Sequence, residues 1–334
     1  MSKIKTFIIE LLRNGHIEST HQVEMTTNKS EGQKFFPRSA IKPFQIIPLI
    51  KLANESNTYL TKEEIAIFGS SHSGQDIHTD LLQNICKKYE IRWEEIYCAP
   101  QRPMHINTAD RYLENKKTFT KLNNNCSGKH ISMLLFSKLL KVDNKNYQEN
   151  NHIVQEQINK FFMEIFELPK LEFAIDGCGL PALFIDSSIF INGVENINNS
   201  EYKDYWLSVF ESYNSFPNLV GGENRTDTNI MLNSKSPLLA KSGAEGVLFV
   251  TNNDETFVFK CLDGNFRAVD LVATKVLNEL GFITEKPYEL LNNNYSKKIE
   301  VISAILLSGL VFKEYSDNFD SGLKELEKLV ENFL

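Results

Sequence analysis

Short alternating runs of apolar and polar residues open the chain, in FIIELLRNGHIESTHQVEMTT, and Asn14-Gly15 breaks them where a hairpin turn belongs. From Phe44 to Ala53, FQIIPLIKLA has a helical apolar spacing, with Pro48 predicting a kink. Thr61 followed by Glu64 in TKEEIAIFGSSHSG is a capping-box pattern, so a short helix should start there and end in a Gly/Ser loop. HTDLLQNICKKYEI, KHISMLLFSKLLKV and NHIVQEQINKFFMEIFEL each carry the helical period. LEFAIDGCGLPALFID reads as strand, turn and strand, with Gly177 and Gly179 flanking Cys178. Two β-rich runs around Asn253-Asp254 predict a second hairpin, and AVDLVATKVLNELG predicts a helix stopped by Gly281.

These elements are grouped rather than strictly alternating. That favours an α+β fold, mainly an antiparallel sheet flanked by helices, over a doubly wound parallel sheet. We expect a single domain over residues 1–334, with the polar stretch at 143–151, DNKNYQENN, as the candidate boundary between two subdomains.

The 334 residues include 42% hydrophobic and 24% charged positions, enough apolar side chains for a sizeable core. The net charge of −7, without a basic cluster, argues against nucleic acid or an anionic membrane as partner. Glu10 and Arg13 interrupt the apolar N-terminal segment and no small-residue cleavage site follows, so no signal peptide is expected. No apolar stretch approaches the ~20 residues of a membrane span. Five scattered cysteines, an odd number, suit a reduced, cytoplasmic protein. Asparagine runs recur along the chain, so the triplet at 123–125 reads as compositional bias that collects in loops.

Three short motifs bear on chemistry. In PRSAIKPF, Ser39 and Lys42 stand one helical turn apart, though Pro43 should bias Lys42 away from helical angles. A lysine serves as general base only when neutral, which needs burial or a neighbouring cation. GSSHSG places Ser70, Ser71 and Ser73 in a glycine-bounded loop, and Lys241-Ser242-Gly243 precedes a β-run. Each motif is weak alone. Their order, S-x-x-K, a serine loop, then K-S-G beside a strand, resembles the layout of serine β-lactamases and penicillin-binding proteins, with Ser71-His72-Ser73 where those enzymes carry S-D-N. Such a layout implies acyl transfer at a carbonyl.

Cys126 and Lys129 lie at a predicted helix start, where aligned N–H groups favour a thiolate. Cys178 lies in a glycine-flanked turn. Two such thiols are credible soft ligands for zinc, with His130, Lys129 and Asp176 as candidates for a third donor. Lysine is an unusual ligand because it must first lose its proton. Spacing alone favours buried, inert thiols, as for Cys86, Cys98 and Cys261.

The segments NGHIESTHQ, FPRSAIKPFQ, SHSGQD, NNNCSGKHISMLL, DGCGLPA, GENRTDTNIM, KSGAEGV and KCLDGNFRA, in that order, resemble the L-asparaginase II family of the Rhizobium etli type, from about Asn14 to Gly281. The resemblance implies an amidohydrolase releasing ammonia from L-asparagine, on a fold similar to serine β-lactamases and glutaminases, as a homodimer. It implies the Ser–Lys pairs Ser39 with Lys42 and Ser71 with Lys241, and a zinc site at Cys126, Lys129 and Cys178 completed by water. Arg38 is expected to bind the substrate α-carboxylate, with His130 and Asp176 as further substrate-binding residues. Gln75 departs from the glutamate usual in the family after SHSG. The rival readings are a Ser–Lys acylase of the penicillin-recognising type acting on another amide, and a zinc-stabilised, non-catalytic relative.

Overall fold

A computed structural model describes residues 3–287 and the strands at 300–307 and 310–311; the rest of the single-domain expectation, including the chain beyond 311, lies outside the described residues. Strands β1 (Lys5–Arg13) and β2 (His16–Thr27) form the predicted hairpin, and both turn residues, Asn14 and Gly15, take positive φ, as a type I′ turn requires. After β3 (Lys34–Phe35) a 3-10 turn, Arg38–Ile41, runs directly into α1 (Lys42–Gln45) and α2 (Ile47–Glu55). The break falls at Ile46, and Pro48 sits in the first turn of α2, where its missing N–H costs no hydrogen bond. Pro43 does not push Lys42 out of helical space, contrary to expectation: Lys42 has φ −56° and ψ −34°. Phe44, fully buried next to it, stacks on Trp206 at 4.9 Å, and this packing outweighs the local preference.

Next come α3 (Lys62–Phe68), α4 (Asp76–Lys88), α5 (Ile106–Glu114), α6 (Ser127–Leu140) and α7 (Ile153–Ile165). The capping box of α3 forms as predicted, with Thr61 accepting from the Glu64 N–H and the Glu64 carboxylate from the Thr61 N–H. The DGCG turn joins β4 (Glu172–Ile175) to β5 (Pro181–Asp186). Helices α8 (Ser187–Asn198), α9 (Lys203–Ser215), α10 (Pro217–Val220) and α11 (Thr226–Leu232) lead into β6 (Leu239–Gly243), β7 (Val247–Thr251) and β8 (Thr256–Cys261). Helix α12 (Phe266–Glu279) precedes Gly281, whose φ is +80°, and β9 (Glu300–Leu307) and β10 (Leu310–Val311) follow.

The main sheet has the order β10-β9-β1-β2-β8-β7-β6, antiparallel throughout, and a small sheet has the order β3-β5-β4. Every residue of β6 and β7 is buried, and helices α8, α9 and α12 pack on the sheet. The fold is therefore α+β, a helix-flanked antiparallel sheet, as the grouped elements implied. Phe44, Phe166, Phe190, Trp206 and Phe249 form a continuous aromatic core that ties α1 to α8, α9 and β7. That core holds the 3-10 turn bearing Ser39 against the sheet end. The stretch at 143–151 is a succession of turns between α6 and α7, with Tyr147 buried.

Candidate functional site

Helix α3 ends at Gly69 and releases the chain into the serine loop, Ser70 to Gly74, every residue of which is buried. Gly128, in the first turn of α6, lies against the Ile67 carbonyl so closely that any Cβ would collide with it. This contact brings the end of α3 and the start of α6 together, and with them Ser71 and Cys126. Lys42 enters from α1, completely buried. Its ammonium nitrogen donates to the Ser71 hydroxyl at 2.9 Å, to the Ser70 carbonyl at 2.6 Å and to Cys126 Sγ at 3.4 Å. Burial lowers its pKa, the Cys126 thiol opposes that shift, and the nearby Lys129 adds to it. Lys42 thus reaches Ser71, twenty-nine residues away. Ser39, three residues before it, is not among its hydrogen-bond partners.

Cys126 occupies the N-cap of α6, as expected. Cys178, from the DGCG turn, is hydrogen-bonded to it: this contact holds the pKa of the Cys126 thiol well below its usual range and raises that of Cys178 in turn. Lys129 is buried beside Cys178. Burial works against its charge, yet Cys178, Cys126 and Asp176 together raise its pKa. Two hydrogen-bonded thiols with an amine at the second sulfur form an S, S, N donor set suited to zinc, provided that the ion displaces the protons. Among the described residues no third imidazole, thiol or carboxylate joins these two sulfurs within reach of one ion, so a third side-chain donor would have to be the Lys129 amine. The residues fit the metal.

Arg38 and Asp176 form a two-point ion pair, at 3.1 Å and 3.2 Å, at the partly open edge of the cluster. Arg38 has φ +53°, the left-handed region that side chains rarely enter. His130 lies one residue beyond Lys129, but its Nδ1 faces the Tyr147 hydroxyl at 2.5 Å and its Nε2 is buried without a protein partner. The Tyr147 hydroxyl also accepts the Tyr97 N–H.

Lys241 projects from β6, whose Gly243 packs against the Pro37 carbonyl and Ala40 on the Ser39 turn. Its ammonium donates to the Ser242 carbonyl at 2.7 Å and lies 3.6 Å from Asp227, both side chains fully buried. Burial, helped by the neighbouring Lys42 and opposed by Asp227, brings its pKa down to about 7. The fold therefore gathers Ser71, Lys42, Cys126, Lys129, Cys178, Asp176 and Arg38 directly. Lys241 feels the charges of Lys42 and Cys126 but its hydrogen bond goes to the Ser242 carbonyl and not to Ser71, and His130 is turned toward Tyr147.

Sequence reasoning missed several contributors. The asparagine triplet is not compositional noise. Asn123 and Asn124 are buried: Asn123 Oδ1 accepts the Thr120 N–H, and Asn124 Oδ1 accepts the Cys126 N–H at 2.9 Å while its amide donates to the Ala99 carbonyl. These side chains set the angle at which α6 begins; their position immediately before the motif cysteine was the available signal. His72 stacks on His78 and binds the Ser127 hydroxyl, fixing the serine loop to α6. Gln75, buried, accepts the Glu223 N–H through its side-chain oxygen and so ties the loop to the segment before α11.

Among the described residues one more group of metal-ligating side chains meets, His21, Cys261 and Asp263. Asp263 accepts from Cys261 at 2.9 Å and faces His21 Nδ1 at 2.5 Å. The three groups are joined by these hydrogen bonds into a clasp over the turn between β8 and α12.

The L-asparaginase II family matches residues 9–304. This chain belongs to the L-asparaginase II family. The match takes in every element of the cluster, from the 3-10 turn of Ser39 to β6, and supports an asparaginase-type amidohydrolase acting on the small molecule asparagine. No curated protein matches the chain. No helix of this L-asparaginase II family member is, among the described residues, long and apolar enough to cross a membrane.

Proposed function

We propose that the protein hydrolyses the side-chain amide of L-asparagine to aspartate and ammonia by acyl transfer to a serine. One observation carries this reading: a fully buried lysine with a lowered pKa, Lys42, in hydrogen-bond contact with the Ser71 hydroxyl. In this mechanism Lys42, neutral, takes the Ser71 proton. The serine oxygen attacks the amide carbon and a tetrahedral intermediate forms. Lys42 returns the proton to the amide nitrogen, ammonia leaves, and water hydrolyses the ester by the same route. The adjacent opposite charges of Arg38 and Asp176 match an amino acid head group, carboxylate to guanidinium and ammonium to carboxylate. His130 is held through Nδ1 by Tyr147, which leaves its unpartnered Nε2 as the atom it can offer to substrate. Lys241 supplies positive charge beside Lys42.

Cys126, Lys129 and Cys178 would hold zinc, with water as fourth ligand, and a bound zinc would supply Lewis-acid polarisation and orientation at the edge of the site. Zinc content should fall from about one per chain to near none in C126S, and zinc affinity should weaken as pH falls, because binding expels protons. Five buried, unpaired cysteines suit a cytoplasmic setting. The homodimer implied by the sequence resemblance, and the lack of nucleic acid or membrane partners implied by the net charge of −7, belong to the same reading.

The test replaces the two serines separately. S71A should lose activity by about a thousandfold or more while keeping the wild-type melting temperature. If S39A is the inactive variant and S71A only slowed, Ser39 is the nucleophile and Ser71 its relay; if both keep wild-type kcat, the Ser–Lys reading is lost. Ammonia release from asparagine, glutamine and a β-lactam separates this reading from an acylase for larger substrates, and no turnover at all would leave a zinc-stabilised, non-catalytic relative.

A further inference from the structure

Asp227 takes no part in the steps above, yet it is a fully buried carboxylate, and fully buried carboxylates are rare without a specific partner. It stands in the first turn of α11, where aspartate is ordinarily exposed. Here it faces β6. Its Oδ2 accepts the Ser242 N–H at 3.0 Å and lies 3.6 Å from Lys241 Nζ, and that ammonium in turn donates to the Ser242 carbonyl. The carboxylate thus grips both the charge and the backbone of adjoining residues of one strand. Its other oxygen lies under Gly221, where a Cβ would come within 2.6 Å of it. The Gly221 carbonyl accepts the Ser73 hydroxyl at 2.7 Å, and the neighbouring Val220 carbonyl accepts the Ser71 N–H at 3.0 Å. One carboxylate therefore braces the Lys241 ammonium and the segment from which the serine loop hangs.

We propose that Asp227 is a positioning residue that keeps Lys241 in place and charged beside the Lys42–Ser71 pair; this rests on the Ser–Lys reading above. The groups bearing on Lys241 are Asp227 and Arg225 at the start of α11, Lys42 on α1 and Cys126 at the cap of α6, while Tyr213 of α9 and Asp270 of α12 bear on Asp227. Asp227 is the strongest of these in favour of the Lys241 charge, so its removal lets Lys241 lose its proton at lower pH.

D227N keeps the shape and an acceptor for the Ser242 N–H while removing the charge. Its kcat should fall about tenfold or more with KM within about twofold. The alkaline limb of its kcat–pH profile should move to lower pH by about one unit. A wild-type kcat and an unmoved limb would overturn the proposal. A second comparison uses melting alone. K241M leaves the Asp227 charge buried without its cation, so K241M/D227N should melt higher than K241M. Equal or lower melting of the double variant would show that the two side chains are not coupled, and would overturn the proposal even if D227N failed to fold. Because melting needs no turnover, a protein inactive on asparagine would refute the proposed reaction and still leave this comparison decisive.

Discussion

Lys42 is the residue on which the proposed chemistry turns, and its environment sets a sharp expectation. A base must shed its proton, and an arginine cannot do so at any ordinary pH. Lys42→Arg should therefore be as inactive as Lys42→Met, each losing about 100- to 10,000-fold in kcat, a result read by ammonia release. In the wild type, activity should rise with pH on the acid side, because burial lowers the Lys42 pKa and each deprotonated Lys42 adds an active molecule. At this scale the sequence was informative about which residue types matter and silent about their pairing. Ser39 and Lys42 advertise themselves through three-residue spacing, whereas the contact between Lys42 and Ser71 spans twenty-nine residues and depends on the approach of α3 to α6. Asn123 and Asn124 were hidden by an asparagine-rich composition, and Asp227 by its place at a helix start, where an acidic residue needs no special explanation.

Among the elements, the decisive junction is that of α3 with α6, and Gly128 is its pivot. The Ile67 carbonyl is backbone and cannot rotate aside, so Gly128→Ala must pry the two helices apart. We expect a loss of about 1–3 kcal/mol, measured by denaturant unfolding, together with weakened activity as Ser71 and Cys126 separate. Most elements were legible because pattern and packing agree. The hairpins at Asn14-Gly15 and Asn253-Asp254, the capping box of α3 and the helix ended by Gly281 all carry local signals that tertiary contacts reinforce. The exception was Lys42 before Pro43, where burial of Phe44 overrode a local bias. Strand order was not legible, since the pairing of β2 with β8 joins residues more than two hundred positions apart.

At the scale of the whole molecule, that same pairing makes the sheet a device for closing the chain on itself, and the His21–Cys261–Asp263 clasp lies at its end. Burial alone would raise the pKa of Asp263. Hydrogen bonds from Cys261, the Asn265 N–H and His21 overcome this and bring it down to about 2. A carboxylate depressed in the folded state stabilises above its unfolded pKa of about 4, and that contribution is lost as pH falls toward 2. Asp263→Asn should lower the melting temperature at neutral pH and narrow the difference from wild type on acidification through that window. With Asp263 48% exposed, the effect should be modest, and catalysis should be untouched. A melting series from pH 7 to 2 checks both points.

Arg38 has one consequence for the history of such a chain. Glycine would relax its left-handed backbone by about 1 kcal/mol, but Arg38→Gly also removes the guanidinium and leaves the mostly buried Asp176 carboxylate without its two-point ion pair, so the variant should melt no higher than wild type. Backbone strain and ion pairing then pull this position in opposite directions. A population screened only for survival at high temperature would keep the strained arginine for the sake of Asp176, as would one screened for the proposed turnover, so the strain at this position would outlast either pressure.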